Sequence, residues 1–164
     1  MITTSEGLDE IMKCIDKNIG RVSLYTIEQL LASKGGIKIY DYTDETLTID
    51  YKNRDTIEYK KYIIGRSIVD FLYIGGGCNL PIQATYSLDK NVYIEIANKV
   101  LKRLEDDSII KIGENYIIIL KDSFDIAKEL ERKHGIPWKD AYDIIEGIKK
   151  KKELYHRRII INLY

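Results

Sequence analysis

Apolar residues recur near the start of the chain at Leu8, Ile11, Met12, Ile15 and Ile19, the stripe of a helix with one buried face. Thr3 and Glu6 offer a capping box at its beginning, and Gly20 is expected to stop it. Ser23 then caps a second helix carrying Leu24, Ile27, Leu30 and Leu31, closed at Gly35-Gly36. From Ile37 the period changes to two. Ile37 and Ile39 alternate with Lys38 and Tyr40; after a Thr43-Asp44-Glu45 turn, Leu47, Ile49 and Tyr51 alternate with Thr48 and Asp50. That predicts a hairpin over 37–52 with an acidic exposed face. Lys52 to Tyr59 is polar and reads as a connector.

The second half repeats the order loosely. Lys60 to Tyr73 predicts a helix burying Ile63, Ile64, Ile68, Val69 and Leu72, stopped by Gly75-Gly76-Gly77. Asn79 to Gln83 would add a short strand and Ala84 to Leu88 a short helix. The most strongly written stretch is Lys90 to Leu120, one long amphipathic helix running into a tight hairpin. Tyr93, Ala97, Val100, Leu101 and Leu104 share one helix face, and Glu95, Asn98, Lys99, Lys102 and Arg103 share the other. Strands are expected near 109–112 and 116–120, around Gly113-Glu114-Asn115.

Ser123 should cap a further helix with Phe124, Ala127 and Leu130 inward, ended by Gly135. Pro137 suits the first position of a last helix burying Trp138, Ala141, Tyr142, Ile145 and Ile148. The Ile-rich end, Arg157 to Tyr164, predicts a strand at a sheet edge. The expected division is therefore a helix–helix–hairpin unit over 1–55, a domain over 60–121 and an extension over 122–164.

The segment VLKRLEDDSIIKIGENYIIIL, Val100 to Leu120, resembles the end of the winged-helix DNA-binding superfamily pattern. There a recognition helix closes with a Leu-x-x-Leu pair, here Leu101 and Leu104, then an acidic pair and a small residue, before two strands joined by a short turn. The resemblance is close over 100–120 and loose over 63–99. Ser108 stands where Gly is usual, and the short turn gives a wing of little reach. The resemblance implies an α+β winged-helix core with C-terminal helices, and the echo between the halves allows a degenerate tandem pair. It also implies double-stranded DNA as partner. Asn91, Asn98 and Arg103 would face base edges, Lys90, Lys99, Lys102 and Lys111 the phosphates, and Asn115 would lie in the wing turn. The alternative is a protein-interaction adaptor whose partner meets the acidic N-terminal hairpin. Homodimerisation through the C-terminal helices is compatible with either.

Composition changes this picture in places. Over 164 residues, 26 Lys and Arg balance 26 Asp and Glu, so no basic excess coats the whole molecule. The charge is uneven, acidic over 1–60 and basic from Lys149 to Arg158, so one face can still suit an anionic partner. Two cysteines, Cys14 and Cys78, allow a single bridge between distant segments, but reduced thiols are the favoured reading inside a cell. With His134 and His156 they form no metal-ligand spacing, and neither metal nor cofactor is expected. Gly75-Gly76-Gly77-Cys78 has the look of a phosphate loop or a nucleophile turn, but Asn79-Leu80-Pro81 lacks the Lys-Ser/Thr that a phosphate loop needs. No base neighbours Cys78 in sequence, so no catalysis is assigned. There is no leader-like start and no apolar run of membrane-spanning length, which predicts an intracellular, cytoplasmic protein. Abundant Ile and charges with few amides point to a thermophilic source, archaeal or viral.

Overall fold

The computed structural model describes residues 4–32, 57–75, 78, 80, 88–114 and 116–162, with side chains for all of these except 4–6 and 152–162. Among them the helical periodicities become six helices: α1 (Thr4–Lys17), α2 (Ile19–Ala32), α3 (Ile57–Gly75), α4 (Lys90–Asp106), α5 (Ser123–His134) and α6 (Trp138–Asn162). Two strands of three residues, β1 (Ile110–Ile112) and β2 (Ile117–Ile119), complete the order between α4 and α5. The strands pair antiparallel, Ile110 opposite Ile119, Lys111 opposite Ile118 and Ile112 opposite Ile117.

This corrects the expected α+β class with its winged-helix core and tandem variant. The described residues are overwhelmingly helical, and their single sheet is one two-stranded hairpin on a helical assembly. Part of the difference lies at the C-terminus, where the strand expected from Arg157 is instead helix, continuous from Trp138 to Asn162. Isolated Ile residues favour strands, but no Gly or Pro interrupts the chain after Gly147. Extending an established helix costs far less than nucleating a new element. The N-terminal hairpin at 37–52 lies outside the described residues, as do Asn79 and the segment 81–87 where a short strand and helix were expected.

The helix boundaries follow from local hydrogen bonding. Asn18, not Gly20, separates α1 from α2. Its backbone N–H reaches the carbonyls of Cys14 and Ile15, both at 3.1 Å, and its side-chain amide donates to the Cys14 carbonyl at 3.0 Å. The orphaned end of α1 is thereby closed within one residue. Gly20 instead lies in the first turn of α2, where a Cβ would stand 2.6 Å from the Cβ of His134. Ser23 is not a cap either; it is buried inside α2, and its hydroxyl has no hydrogen-bond partner among the described residues. At α5 the cap is Asp122, which accepts from Asp125 N–H at 2.8 Å, one residue before the expected Ser123. Ser123 is buried, and its hydroxyl accepts from Lys149 Nζ at 2.7 Å. The inward set then becomes Ile126, Ala127 and Leu130, and Phe124 turns outward. Gly135 closes α5 in the left-handed region, φ 71°, as its glycine suggests.

One apolar cluster joins all six helices and the hairpin. Ile11 and Ile15 enter it from α1, Ile27 and Leu30 from α2, Ile68 and Leu72 from α3, Ile96 and Leu101 from α4, Ile110 and Ile117 from the strands, Ile126 from α5 and Ile145 from α6. The tightest approach is between α3 and α4. A Cβ at Gly65 would lie 1.9 Å from the Tyr93 carbonyl oxygen, so only glycine lets the two backbones come this close. Tyr62 packs edge-on against Tyr93 beside that contact, and Tyr25 of α2 stacks on Phe71 of α3.

The cysteines also depart from expectation. Cys14 of α1 and Cys78, just past α3, form a disulfide with Cα atoms 6.1 Å apart. The Asn18 amide donates to Cys78 Sγ at 3.3 Å. The candidate nucleophilic thiol of Cys78 is thus consumed in a crosslink.

Candidate nucleic-acid interface

Helix α4 presents its polar face because both of its ends are fixed. At the start, Asp89 accepts from Val92 N–H at 3.1 Å, capping the helix. At the other end Ser108 adopts φ 58°, its N–H bonds the Glu105 carbonyl at 3.0 Å, and Ile109 N–H bonds Leu104 at 3.0 Å. This pair of bonds around a left-handed residue is the Schellman closure, with serine where glycine is favoured. The chain leaves it directly into β1, which sets the hairpin beside the helix.

Seven residues of α4 are buried, among them Val92, Tyr93, Ile96, Ala97 and Val100. At 3.6 residues per turn, Asn91, Glu95, Asn98 and Lys102 then fall along one outward line, and all four are exposed or nearly so. Lys99 and Arg103 stand on one flank of this line. Lys99 is ion-paired with Asp16 of α1 at 2.9 Å. Arg103 is exposed and close enough to His134 to help hold that imidazole below its ordinary pKa, after the larger effect of burial.

The hairpin occupies the opposite flank. Glu105 Oε2 accepts the Ile112 N–H at 3.0 Å, tying the last turn of α4 to β1. Lys111, in the middle of β1, is exposed. Asp107 is engaged inward: its carboxylate pairs with Lys133 of α5, and its carbonyl accepts from Lys121 Nζ at 3.1 Å. Lys133 also meets Glu129 at 3.4 Å, and Glu129 pairs with Arg132 at 2.7 Å. The hydrogen bond from Arg132, reinforced by Lys133, holds the Glu129 carboxyl below its usual range against a smaller opposing effect of burial.

Of the residues expected to meet DNA, Lys90, Asn91, Asn98, Lys102 and Arg103 are exposed on α4 and Lys111 on β1, while Lys99 is half-buried and Asn115 lies outside the described residues. The side chains of Lys90, Lys102, Arg103 and Lys111 make no hydrogen bond or ion pair with another described residue. Asp16 and Glu105 were not anticipated as participants, and Asp107, expected to weaken the positive field of this face, is instead paired with Lys133. Asp16 is remote in sequence from α4, and nothing in the pattern of acidic residues separates carboxylates turned inward from those facing solvent.

A second surface adjoins the base of the hairpin. Leu120 and Phe124 remain 53% and 47% exposed. Phe124 meets Trp138 edge-on at 5.5 Å, and the Lys128 ammonium lies 4.4 Å from the Trp138 ring centroid. Among the described residues no group of three or more His, Cys, Asp or Glu is placed to hold a metal, and no helix is long and apolar enough to cross a membrane. No protein-family model matches the chain, and neither curated proteins nor solved structures provide a significant match.

Proposed function

We propose that this chain binds double-stranded DNA through the outward face of α4 and the adjoining hairpin, most simply as a regulator of transcription and without chemistry of its own. One observation carries the reading. Lys90, Lys102 and Lys111 are exposed and without an ion pair among the described residues, as is Arg103, while Glu105 and Asp107 at the same end are turned to internal bonds. The close resemblance of Val100 to Leu120 to a recognition helix and wing supports this for the helix–hairpin element alone.

In this reading α4 enters the major groove. Asn91 and Asn98 lie on the central line and suit the bidentate pattern that an amide makes with adenine; Arg103 suits guanine. Lys90, Lys102 and Lys111 contact phosphates and position the helix. Glu95 and Asp106 dilute the positive field of this face, so affinity rests on local contacts rather than on long-range attraction. Two copies joined through α5 and α6 would present two such helices at a spacing set by the dimer. If the protein acts in the cytoplasm, as DNA binding requires of a regulator, the Cys14–Cys78 disulfide suits a heat-adapted host, because intracellular disulfides are frequent in hyperthermophiles and rare in mesophiles.

The test is binding of a labelled duplex by wild type and by the Lys102→Ala, Arg103→Ala, Lys111→Ala triple variant. Loss of two cation–phosphate contacts, at Lys102 and Lys111, should flatten the salt dependence by about two in log–log slope, and loss of the Arg103 base contact should weaken binding further. Equal binding by both proteins would exclude this face. A second reading, a protein-interaction adaptor, is favoured by the Leu120–Phe124–Trp138 surface. It gains if duplex binding is absent. Its other proposed contact, the acidic hairpin, lies outside the described residues.

A further inference from the structure

Lys99 differs from the other cations of α4 in already having a partner. Its ammonium lies 2.9 Å from the Asp16 carboxylate, with 32% of the lysine side chain and 65% of the aspartate side chain exposed. Asp16 is not on a wandering segment. Ile15, beside it, is fully buried, and Cys14, two residues earlier, is crosslinked to Cys78. Asn18, two residues later, bonds both the Cys14 carbonyl and Cys78 Sγ. The end of α1 thus holds a carboxylate at the flank of α4, just where a phosphate would approach Lys99.

We propose that Asp16 is an intramolecular competitor for DNA phosphate at Lys99, so that α1 lowers the affinity of the α4 face. The inference rests on the DNA reading above and adds a control element to it. A phosphate reaching Lys99 must displace a carboxylate already in contact, and the displaced Asp16 would then face the phosphate as a like charge. Lys99 therefore contributes little counterion release while Asp16 is present. A partly exposed ion pair is weak enough for its removal to be felt as a modest gain, roughly two- to fivefold in affinity.

The experiment measures duplex affinity between 50 and 200 mM salt, about the range where release is easily read, for the full chain and five variants, Lys102→Ala serving as the reference for a lost phosphate contact. Asp16→Asn should tighten binding roughly two- to fivefold and steepen the log–log salt slope by about 0.9, one added phosphate contact. Lys99→Ala alone should change neither. Adding Lys99→Ala to Asp16→Asn should cancel the gain. Asp9→Asn, an exposed acid on the same helix, makes the same change in net charge and should leave the slope as it is. A gain from Asp9→Asn equal to that from Asp16→Asn overturns the inference and leaves DNA binding intact, as does a loss with Lys99→Ala as large as with Lys102→Ala. Absence of duplex binding by every protein at the lowest salt removes the DNA reading and this inference together.

Discussion

Breaking the Cys14–Cys78 crosslink should destabilise the chain substantially without disturbing its local packing. The two cysteines are 64 residues apart in sequence. In the chain-entropy description, closing a loop of that length removes about 14–15 cal/mol/K from the unfolded ensemble, or about 4 kcal/mol at 25 °C. For a chain of this size each kcal/mol moves the melting temperature by roughly 2–4 °C, so reduction should lower it by about 8–16 °C. The choice of variant matters. Cys14 is almost fully buried, and a serine there would add an unsatisfied hydroxyl worth ~1–3 kcal/mol on its own. Cys78 is only partly buried, so Cys78→Ser removes the crosslink with less side effect than a change at Cys14. The assay is denaturant unfolding followed by circular dichroism, on oxidised wild type, reduced wild type and Cys78→Ser, with thiols counted by alkylation and mass. Reduced wild type and Cys78→Ser should agree and fall about 4 kcal/mol below the oxidised protein. A difference below ~1 kcal/mol, or two alkylated thiols in protein never exposed to reductant, would refute the reasoning.

Other consequences follow from single residues. Ser108 holds φ 58° at the close of α4, a conformation costing a side-chain-bearing residue about 1–2 kcal/mol, part of which glycine returns as lost chain entropy. Ser108→Gly should therefore raise stability by about 1 kcal/mol in urea unfolding, and a loss would show that the serine side chain has a role of its own. His134 titrates below its ordinary value near 6.5, chiefly through burial and then through Arg103, with Lys133 adding to the lowering and Asp107 and Glu129 opposing it. The folded state thus binds its proton less readily than the unfolded one. Stability is full above that ordinary value and is lost as pH falls through the lowered one. Proton NMR should place the His134 titration below that of a free histidine, and a midpoint at or above 6.5 would contradict this environment.

The helix-to-hairpin element was legible because several signals agreed in one place. Leu101 and Leu104 continue the buried stripe of α4, and Gly113 marks the turn between two runs of isoleucine; the strands formed within one residue of the expected bounds. Gly135 and the buried set of Ala141 and Ile145 were similarly readable. The class was not, because strand propensity at Ile159 to Ile161 was outweighed by an uninterrupted helix beginning far upstream. Gly20 and Ser23 looked like a stop and a cap, yet Asn18 could satisfy the end of α1 with both backbone and side chain. At α5 two adjacent polar residues competed for the cap; Asp122 won, and the shift of one position turned Phe124 to solvent. Of the candidate interface, the exposed line of α4 followed from periodicity alone. The engagement of Lys99 by Asp16 and the crosslink of Cys14 with Cys78 are contacts between distant parts of the chain, which no local pattern records.

The central claim is that free cations on α4 and β1 meet DNA phosphates. It is tested most directly by the affinity of the wild-type chain for a short duplex as a function of salt. Lys90, Lys102 and Lys111, each releasing about 0.9 of a counterion, predict a log–log slope of about −3. A slope near zero, or no binding at ~50 mM salt, would contradict it.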